Sequence, residues 1–226
     1  VWIIPLLKKS IPYDMRDFAP ITLAARSPST LVVHPSLPVR SVKDTVALAR
    51  KHPGELRYGS FGAGNMSHLA AELFAQSSQL KLLHVPFKGT GPALTGLMSG
   101  QVHIGFASIS TIMPQIRSGE LRALGQGGAT RSPVIPAIPT IAETLPGYQA
   151  VTWYALYSPR ATPPAIINQL NGAVVKILSE PAMARWLADQ GLEPAPGTPA
   201  ALAAYMRAES ERFARIIKIA GLANPQ

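Results

Sequence analysis

Two serines, a histidine and three glycines crowd the stretch Tyr58-Gly59-Ser60-Phe61-Gly62-Ala63-Gly64-Asn65-Met66-Ser67-His68. Ser60 and His68 have the side chains of a nucleophile and its base. The segment Leu56-Arg57-Tyr58 before them reads as the end of a strand, and Leu69 to Phe74 after them as an amphipathic helix. A strand that runs through small polar residues into a helix start leaves backbone N–H groups unpaired at a positive helix end. Such a turn suits a carboxylate or a phosphate. Two further loops carry residues of the same kind: Pro86-Phe87-Lys88-Gly89-Thr90-Gly91-Pro92, and the turn after Ala107 at Ser108-Ile109-Ser110. Lys88 can serve there as an anion contact or as a solvated loop charge.

Each specific chemistry can be weighed against the motif it requires. Gly59-Ser60-Phe61-Gly62 does not match the G-x-S-x-G nucleophile elbow, and no acid offers itself as a third triad member. A capping serine and a surface histidine account for both residues more simply. Gly59, Gly62 and Gly64 do not fit G-x-G-x-x-G, and no G-K-[ST] occurs, so the nucleotide motifs fail. The histidines at 34, 52, 68, 84 and 103 never pair at i, i+4 beside a carboxylate, as a zinc helix requires. His34, His84 and His103 lie in or beside strands, where a hydrogen-bonded structural role is expected. Met66, Met98, Met113 and Phe106 read as core filler. The chain has no cysteine, which removes thiolate nucleophiles, disulfides and cysteine-based metal centres but decides nothing about compartment. No cofactor and no metal are expected.

The 226 residues are 47% apolar and 15% charged, a globular composition with room for a substantial core. The net charge of +9 favours anions, but Lys and Arg are scattered and no run exceeds Lys8-Lys9. Nucleic acid is therefore not an expected partner. No apolar run reaches the roughly 18 residues of a membrane span, so no direct membrane insertion is expected. The opening Val1 to Lys9 is too short for a span and has its charges on the wrong side for a secretory signal.

The elements that must position these loops follow from periodicity and punctuation. Phe18 to Ala25 reads as an extended segment ended by Pro28, and Thr30 to His34 as a short strand. Ser41 caps a helix from Val42 to His52, with Val42, Val46 and Ala49 on one face. Then come a strand from Glu55 to Gly59, a helix from Ser67 to Ser77, a strand from Leu80 to Val85 and a helix from Ala93 to Met98. A strand from Val102 to Ala107, a helix from Thr111 to Ser118 and a strand from Leu121 to Gly125 complete the series. This alternation predicts an α/β unit with a largely parallel sheet, its ligands beyond the carboxyl ends of the strands. Residues 126–147 carry four prolines and read as a long connection with one helical turn near Ile141. The remainder predicts one strand, Tyr148 to Tyr157, and helices from Thr162, from Ala182 and from Thr198. Leu202, Tyr205, Met206, Phe213, Ile216 and Ile217 fall on the apolar side of the last. A single strand cannot make a sheet, so its partners must precede Thr30 or lie in absent sequence.

Several segments together resemble the tripartite tricarboxylate transporter substrate-binding proteins, also called the Bug family of periplasmic receptors. They are Lys9-Ser10-Ile11-Pro12-Tyr13-Asp14 with Asp17-Phe18-Ala19-Pro20, Val32 to Val39, Tyr58-Gly59-Ser60 with Gly62, Gly64 and Ser67-His68-Leu69-Ala70, and Val85 to Leu94. Gly119-Glu120-Leu121-Arg122-Ala123-Leu124, Pro139-Thr140-Ile141-Ala142-Glu143 and Trp153-Tyr154-Ala155-Leu156 continue the likeness in the family's order.

The resemblance implies an α/β, two-lobed periplasmic-binding-protein-like clamshell that closes without covalent chemistry on a small carboxylate and delivers it to a membrane permease. Residues 29–128 would form one complete lobe. Residues 1–28, a remnant and crossover, and 129–226 would supply the C-terminal part of the other. The family's opening strand and proline–glycine loop have no counterpart here, so the chain is expected to start after the first third of a family member, its signal sequence not present. By position, Ser60, Gly62, Asn65, Ser67 and His68 would line the site from one loop, Lys88 and Gly89 from a second, and Ala107 and Ser108 from a third. Many relatives place Asp or Asn after the phenylalanine where this chain has Ala107-Ser108, which favours a plain carboxylate over an amino acid. The rival readings are an α/β hydrolase-like enzyme using Ser60 and His68, and the ligand-sensing domain of a transcription regulator.

Overall fold

The computed structural model describes residues 3–7, 11–219 and 221–222. Lys9 and Ser10, which open the first matching segment, lie outside the described residues, as does the charge run Lys8-Lys9. The element order is α1 (Ile4–Leu7), β1 (Phe18–Val33), α2 (Val42–Lys51), β2 (Arg57–Ser60), α3 (Met66–Ser77), β3 (Leu83–Pro86), α4 (Thr90–Met98), β4 (Ile104–Ser108), α5 (Ile109–Arg117), β5 (Arg122–Gln126), β6 (Val151–Pro159), α6 (Pro164–Leu178), α7 (Pro181–Asp189), β7 (Glu193–Pro194) and α8 (Pro199–Ile219). The chain divides into two compact units, Ser27–Thr152 and Val1–Arg26 with Trp153–Gln226.

In the unit Ser27–Thr152 the strand order is β3-β2-β4-β1-β5. β2 pairs parallel with both β3 and β4, whereas β1 runs antiparallel between β4 and β5. The expected largely parallel sheet is therefore corrected to a mixed one: four strands share a direction and the leading strand opposes them. Alternation along β1 explains how both faces are covered. Leu31 and Val33 join Tyr58, Phe74, Ile104 and Phe106 in one core, while Val32 joins Leu97, Val102, Ala107 and Ile112 in another. A sheet buried on both faces needs apolar residues at consecutive positions, which is what β1 and β4 supply.

β1 also corrects the expected break at Pro28. It is one strand of 16 residues running through that proline. Proline's fixed φ suits extended chain and only a donor is lost. The pairing with β4 and β5 begins beyond it, at Ser29 and Thr30. Residues 129–150 are tied to the same unit. Gln126 bridges Thr140, Ser29 N–H donates to the Ala150 carbonyl at 2.9 Å, and Tyr148 Oη donates to the Ala70 carbonyl at 3.0 Å. The helical turn near Ile141 is a short 3-10 helix, Ile141–Glu143, closed by a Thr140/Glu143 capping box.

In the other unit the early part of β1 has the partners that the lone C-terminal strand required. β6 and β7 both pair with β1, β7 through Ala25↔Pro194 and Arg26↔Glu193. The Thr22 hydroxyl donates to the Gly197 carbonyl at 2.9 Å and accepts from its N–H at 3.0 Å, and Asn171 Nδ2 donates to the carbonyls of Ile21 and Gly197. Leu202, Phe213, Ile216 and Ile217 form the buried side of α8, as its pattern predicts. Among the described residues no helix is long and apolar enough to cross a membrane.

Candidate functional site

The three candidate loops meet because β3, β2 and β4 are parallel neighbours that end together. Ser60 pairs with Pro86, and Gly59 pairs with Gly105. Each strand then turns into a helix, so the N-termini of α3, α4 and α5 stand along one sheet edge within a single unit. Helix starts of this kind present donors and positive potential to an anion.

The turn before α3 is more self-contained than its composition suggests. Asn65 is the N-cap, its Oδ1 accepting the His68 N–H at 3.1 Å and the Ser67 hydroxyl at 2.6 Å. Ser67 Oγ in turn accepts the Phe61 N–H at 2.9 Å, and His68 Nδ1 accepts the Gly64 N–H at 2.9 Å. These bonds occupy donors that a bare helix start would leave free. The N–H groups of Gly62, Ala63, Met66 and Ser67 have no partner among the described residues, and neither has Asn65 Nδ2. Gly62 sits at φ 135°, a conformation that side-chain-bearing residues rarely adopt.

The second loop is anchored by Phe87, whose ring lies against Gly96 so closely that a Cβ there would fall 2.9 Å from its Cε1. This leaves Lys88 exposed and Gly89 half-buried at φ 106° as the N-cap of α4. In the third loop Ala107 is buried in the core, while the half-buried Ser108 caps α5. Neither Gly89 nor Ser108 offers a side-chain cap, so the first turns of α4 and α5 keep their donors for another acceptor. Ser108 Oγ lies 3.0 Å from Ser110 Oγ and 2.7 Å from Thr111 Oγ1, a hydroxyl cluster at the same edge.

Ser60 and His68 lie elsewhere than their expected roles require. Ser60 is 0% exposed and His68 3%, so the histidine expected at the surface is part of the core. The physical reason is its place on the stripe Ser67, His68, Ala71, Phe74, Ala75, all buried at helical spacing. Ser60 is no cap either. It belongs to β2, and its Oγ lies 2.7 Å from Nε2 of His84, not of His68. His84 stacks on His68 with ring centroids 3.9 Å apart and on Tyr58 at 4.8 Å. Tyr58 Oη donates to Glu72 Oε1, which also stands 3.7 Å from His68 Nε2. Burial pushes the His68 imidazole down to about 4. The same burial, aided by the neighbouring His68 and opposed by Glu72, brings His84 to about 4. Burial and the Glu72 carboxylate push the Tyr58 hydroxyl up.

This Ser–His contact is poorly built for acyl transfer. A serine sealed from solvent cannot meet a substrate carbonyl, and an imidazole this weakly basic has little drive to take the hydroxyl's proton. The accessible members of the expected set are Gly62, Asn65, Lys88, Gly89 and Ser108, which the edge brings together. Ser60, Ser67, His68 and Ala107 stand behind them as support. His84 has the hydrogen-bonded strand role expected of it, whereas its partners and the part played by Glu72 do not follow from the sequence analysis. Their signal was present: His84 is opposite Tyr58 in the parallel register, and Glu72 lies one helical turn after His68. Among the described residues no group of three or more His, Asp or Glu could hold a metal ion.

Comparison with known proteins agrees with the fold and extends it. The family described as "Tripartite tricarboxylate transporter family receptor" matches residues 1–222. The UPF0065 protein in the tcbD-tcbE intergenic region of Pseudomonas sp. (strain P51) is 36% identical over 210 residues, 92% of this chain and 62% of that protein. The chain thus spans less than two thirds of that relative's length. The solved structure of R. palustris Rpa4515 with adipate matches with a TM-score of 0.88 at 36% identity, over 96% of this chain and 73% of that one. MatC (Rpa3494) from Rhodopseudomonas palustris with bound malate matches with a TM-score of 0.79 at 29% identity, over 94% of this chain and 74% of that one. The mixed α/β architecture is therefore that of periplasmic solute-binding proteins, and the chain belongs to the tripartite tricarboxylate transporter receptor family.

Proposed function

We propose that the protein is a periplasmic solute-binding receptor that captures a small dicarboxylate non-covalently and presents it to a membrane permease of the tripartite tricarboxylate type. The carrying observation is the edge where α3, α4 and α5 begin together behind the parallel strands β3, β2 and β4. Donors from Gly62, Ala63 and Asn65, the uncapped starts of α4 and α5, and the exposed Lys88 all suit carboxylate oxygens. The excess of basic residues, +9 overall, draws anions toward it. Adipate and malate, each bound by one of the similar solved structures, share two carboxylates on a short chain, and that chemistry is carried over here.

No step needs a nucleophile. Micromolar capture requires about −8 kcal/mol, within reach of several charge-assisted hydrogen bonds in a sheltered site. Thermal shift with adipate, malate and their monoamides tests the reading. Stabilisation by a diacid and not by its monoamide is expected; stabilisation by neither, across both diacids, overturns it.

A further inference from the structure

The buried network behind the glycine turn contains a carboxylate that neither the turn's own hydrogen bonds nor any contact with an anion requires. Glu72 sits on α3 with its side chain only partly exposed, at 26%, beside the buried His68. It receives the Tyr58 hydroxyl and lies 3.7 Å from His68 Nε2. On the far side of the imidazole, Nδ1 accepts the Gly64 N–H at 2.9 Å. An acceptor at Nδ1 obliges a neutral His68 to carry its proton on Nε2, toward Glu72. The groups facing the imidazole are thus Glu72 on its own helix, Tyr58 from β2 and His84 from β3.

We propose that Glu72 is a positioning residue for the binding turn: by fixing the His68 tautomer it holds the Gly64 N–H inward, and so leaves the Gly62 and Ala63 N–H groups directed at a ligand. The other tautomer would place N–H against N–H at Gly64 and force the turn to rearrange. Gly62, at φ 135°, and Gly64, at φ 77°, are the two flexible joints through which it would do so. Tyr58 completes the arrangement from behind by orienting the carboxylate. The functional consequence rests on the proposed carboxylate reading; the tautomer and the turn do not.

The test separates the two. Glu72→Leu removes the acceptor, and because it orphans the buried Tyr58 hydroxyl, the double variant Y58F/E72L is made beside it. Glu72→Gln retains the acceptor for Tyr58 and keeps an amide oxygen beside His68 Nε2. Imidazole nitrogen NMR and amide hydrogen exchange are read on the ligand-free protein, and adipate affinity by calorimetry. Wild type and E72Q are expected to show His68 as the Nε2–H tautomer with Gly64 protected. In E72L and Y58F/E72L the tautomer mixes, and Gly64, in the turn before α3, exchanges about tenfold faster than in wild type while amides within α3 keep their wild-type rates, one net hydrogen bond's worth. Adipate should weaken by a similar factor in E72L and Y58F/E72L and recover in E72Q. Unchanged tautomer and Gly64 protection in both E72L and Y58F/E72L overturn the proposal. If those signatures change as expected while wild type binds no dicarboxylate, the positioning role stands and the carboxylate reading fails.

Discussion

His84 lies opposite Tyr58 in the β2–β3 register, and from there its ring stacks on Tyr58 at 4.8 Å while its Nε2 meets Ser60 Oγ at 2.7 Å. Strand register alone thus turns a serine with the look of a nucleophile into a structural partner. The same pairing brings His84 to 3.9 Å from His68 and creates two neutral, stacked imidazoles behind the candidate site.

That pair sets a pH dependence of stability. Both imidazoles are lowered from 6.5 to about 4, so between these values the unfolded chain binds protons that the folded one refuses. Stability is then complete above about pH 6.5 and falls as pH drops toward 4, with a slope of up to about 1.4 kcal/mol per pH unit for each imidazole. Urea midpoints at pH 7.5, 6, 5 and 4 check this. The decline over pH 6–4 should shrink in H68N/H84Q, whose amides do not titrate.

Ser67→Ala should loosen the turn without disturbing the sheet. The substitution strips the Phe61 N–H of its acceptor and Asn65 Oδ1 of a donor. A loss of about 1–3 kcal/mol is expected by urea unfolding, since a half-buried donor is left unsatisfied. Ser118→Ala, an exposed hydroxyl near the C-terminal end of α5, should cost well under about 1 kcal/mol by the same measurement.

Gly127→Ala should be among the most damaging single-atom changes in this unit. An added Cβ would overlap the Ala150 carbonyl and lie 2.9 Å from the Ser29 carbonyl, where backbone bonds tie β1 to residues 127 and 150. Neither carbonyl can retreat without breaking its own hydrogen bond. About 3 kcal/mol of destabilisation is expected, while Gly54→Ala meets no atom and should act only through its backbone preference.

Much of this was legible in the residues. The helix cap at Ser41, the turn at Ile141 and the buried side of α8 follow from capping and periodicity, and the helix expected from Thr162 starts at Pro164, two residues on. The antiparallel placement of β1 was not, because alternating strands and helices fix the neighbours of β2, β3 and β4 but say nothing of a leading strand that enters from the other unit. Pro28 does not break β1, because an extended strand loses only one donor there. β7, two residues long, is below what any periodicity can reveal. At the site, loop positions were readable from composition, but whether Ser60 and His68 face solvent or core depends on register and helix phase together.

The third loop makes a prediction about ligand chemistry. Ser108, Ser110 and Thr111 offer hydroxyls, and the loop holds no acid to pair an ammonium. A plain dicarboxylate is therefore expected to bind more tightly than its 2-amino analogue, by about tenfold or more for one unpaired buried charge. Calorimetry with adipate and 2-aminoadipate decides it; tighter binding of the amino acid would reverse the assignment.

The most direct measurement is calorimetric titration of adipate and malate into the protein and into Lys88→Ala. Saturable one-site binding of at least one diacid is expected, weakened about tenfold or more in K88A with an unchanged unfolding midpoint, because Lys88 is exposed and bonds no neighbour among the described residues. No binding of either diacid, or binding indifferent to Lys88, would contradict it.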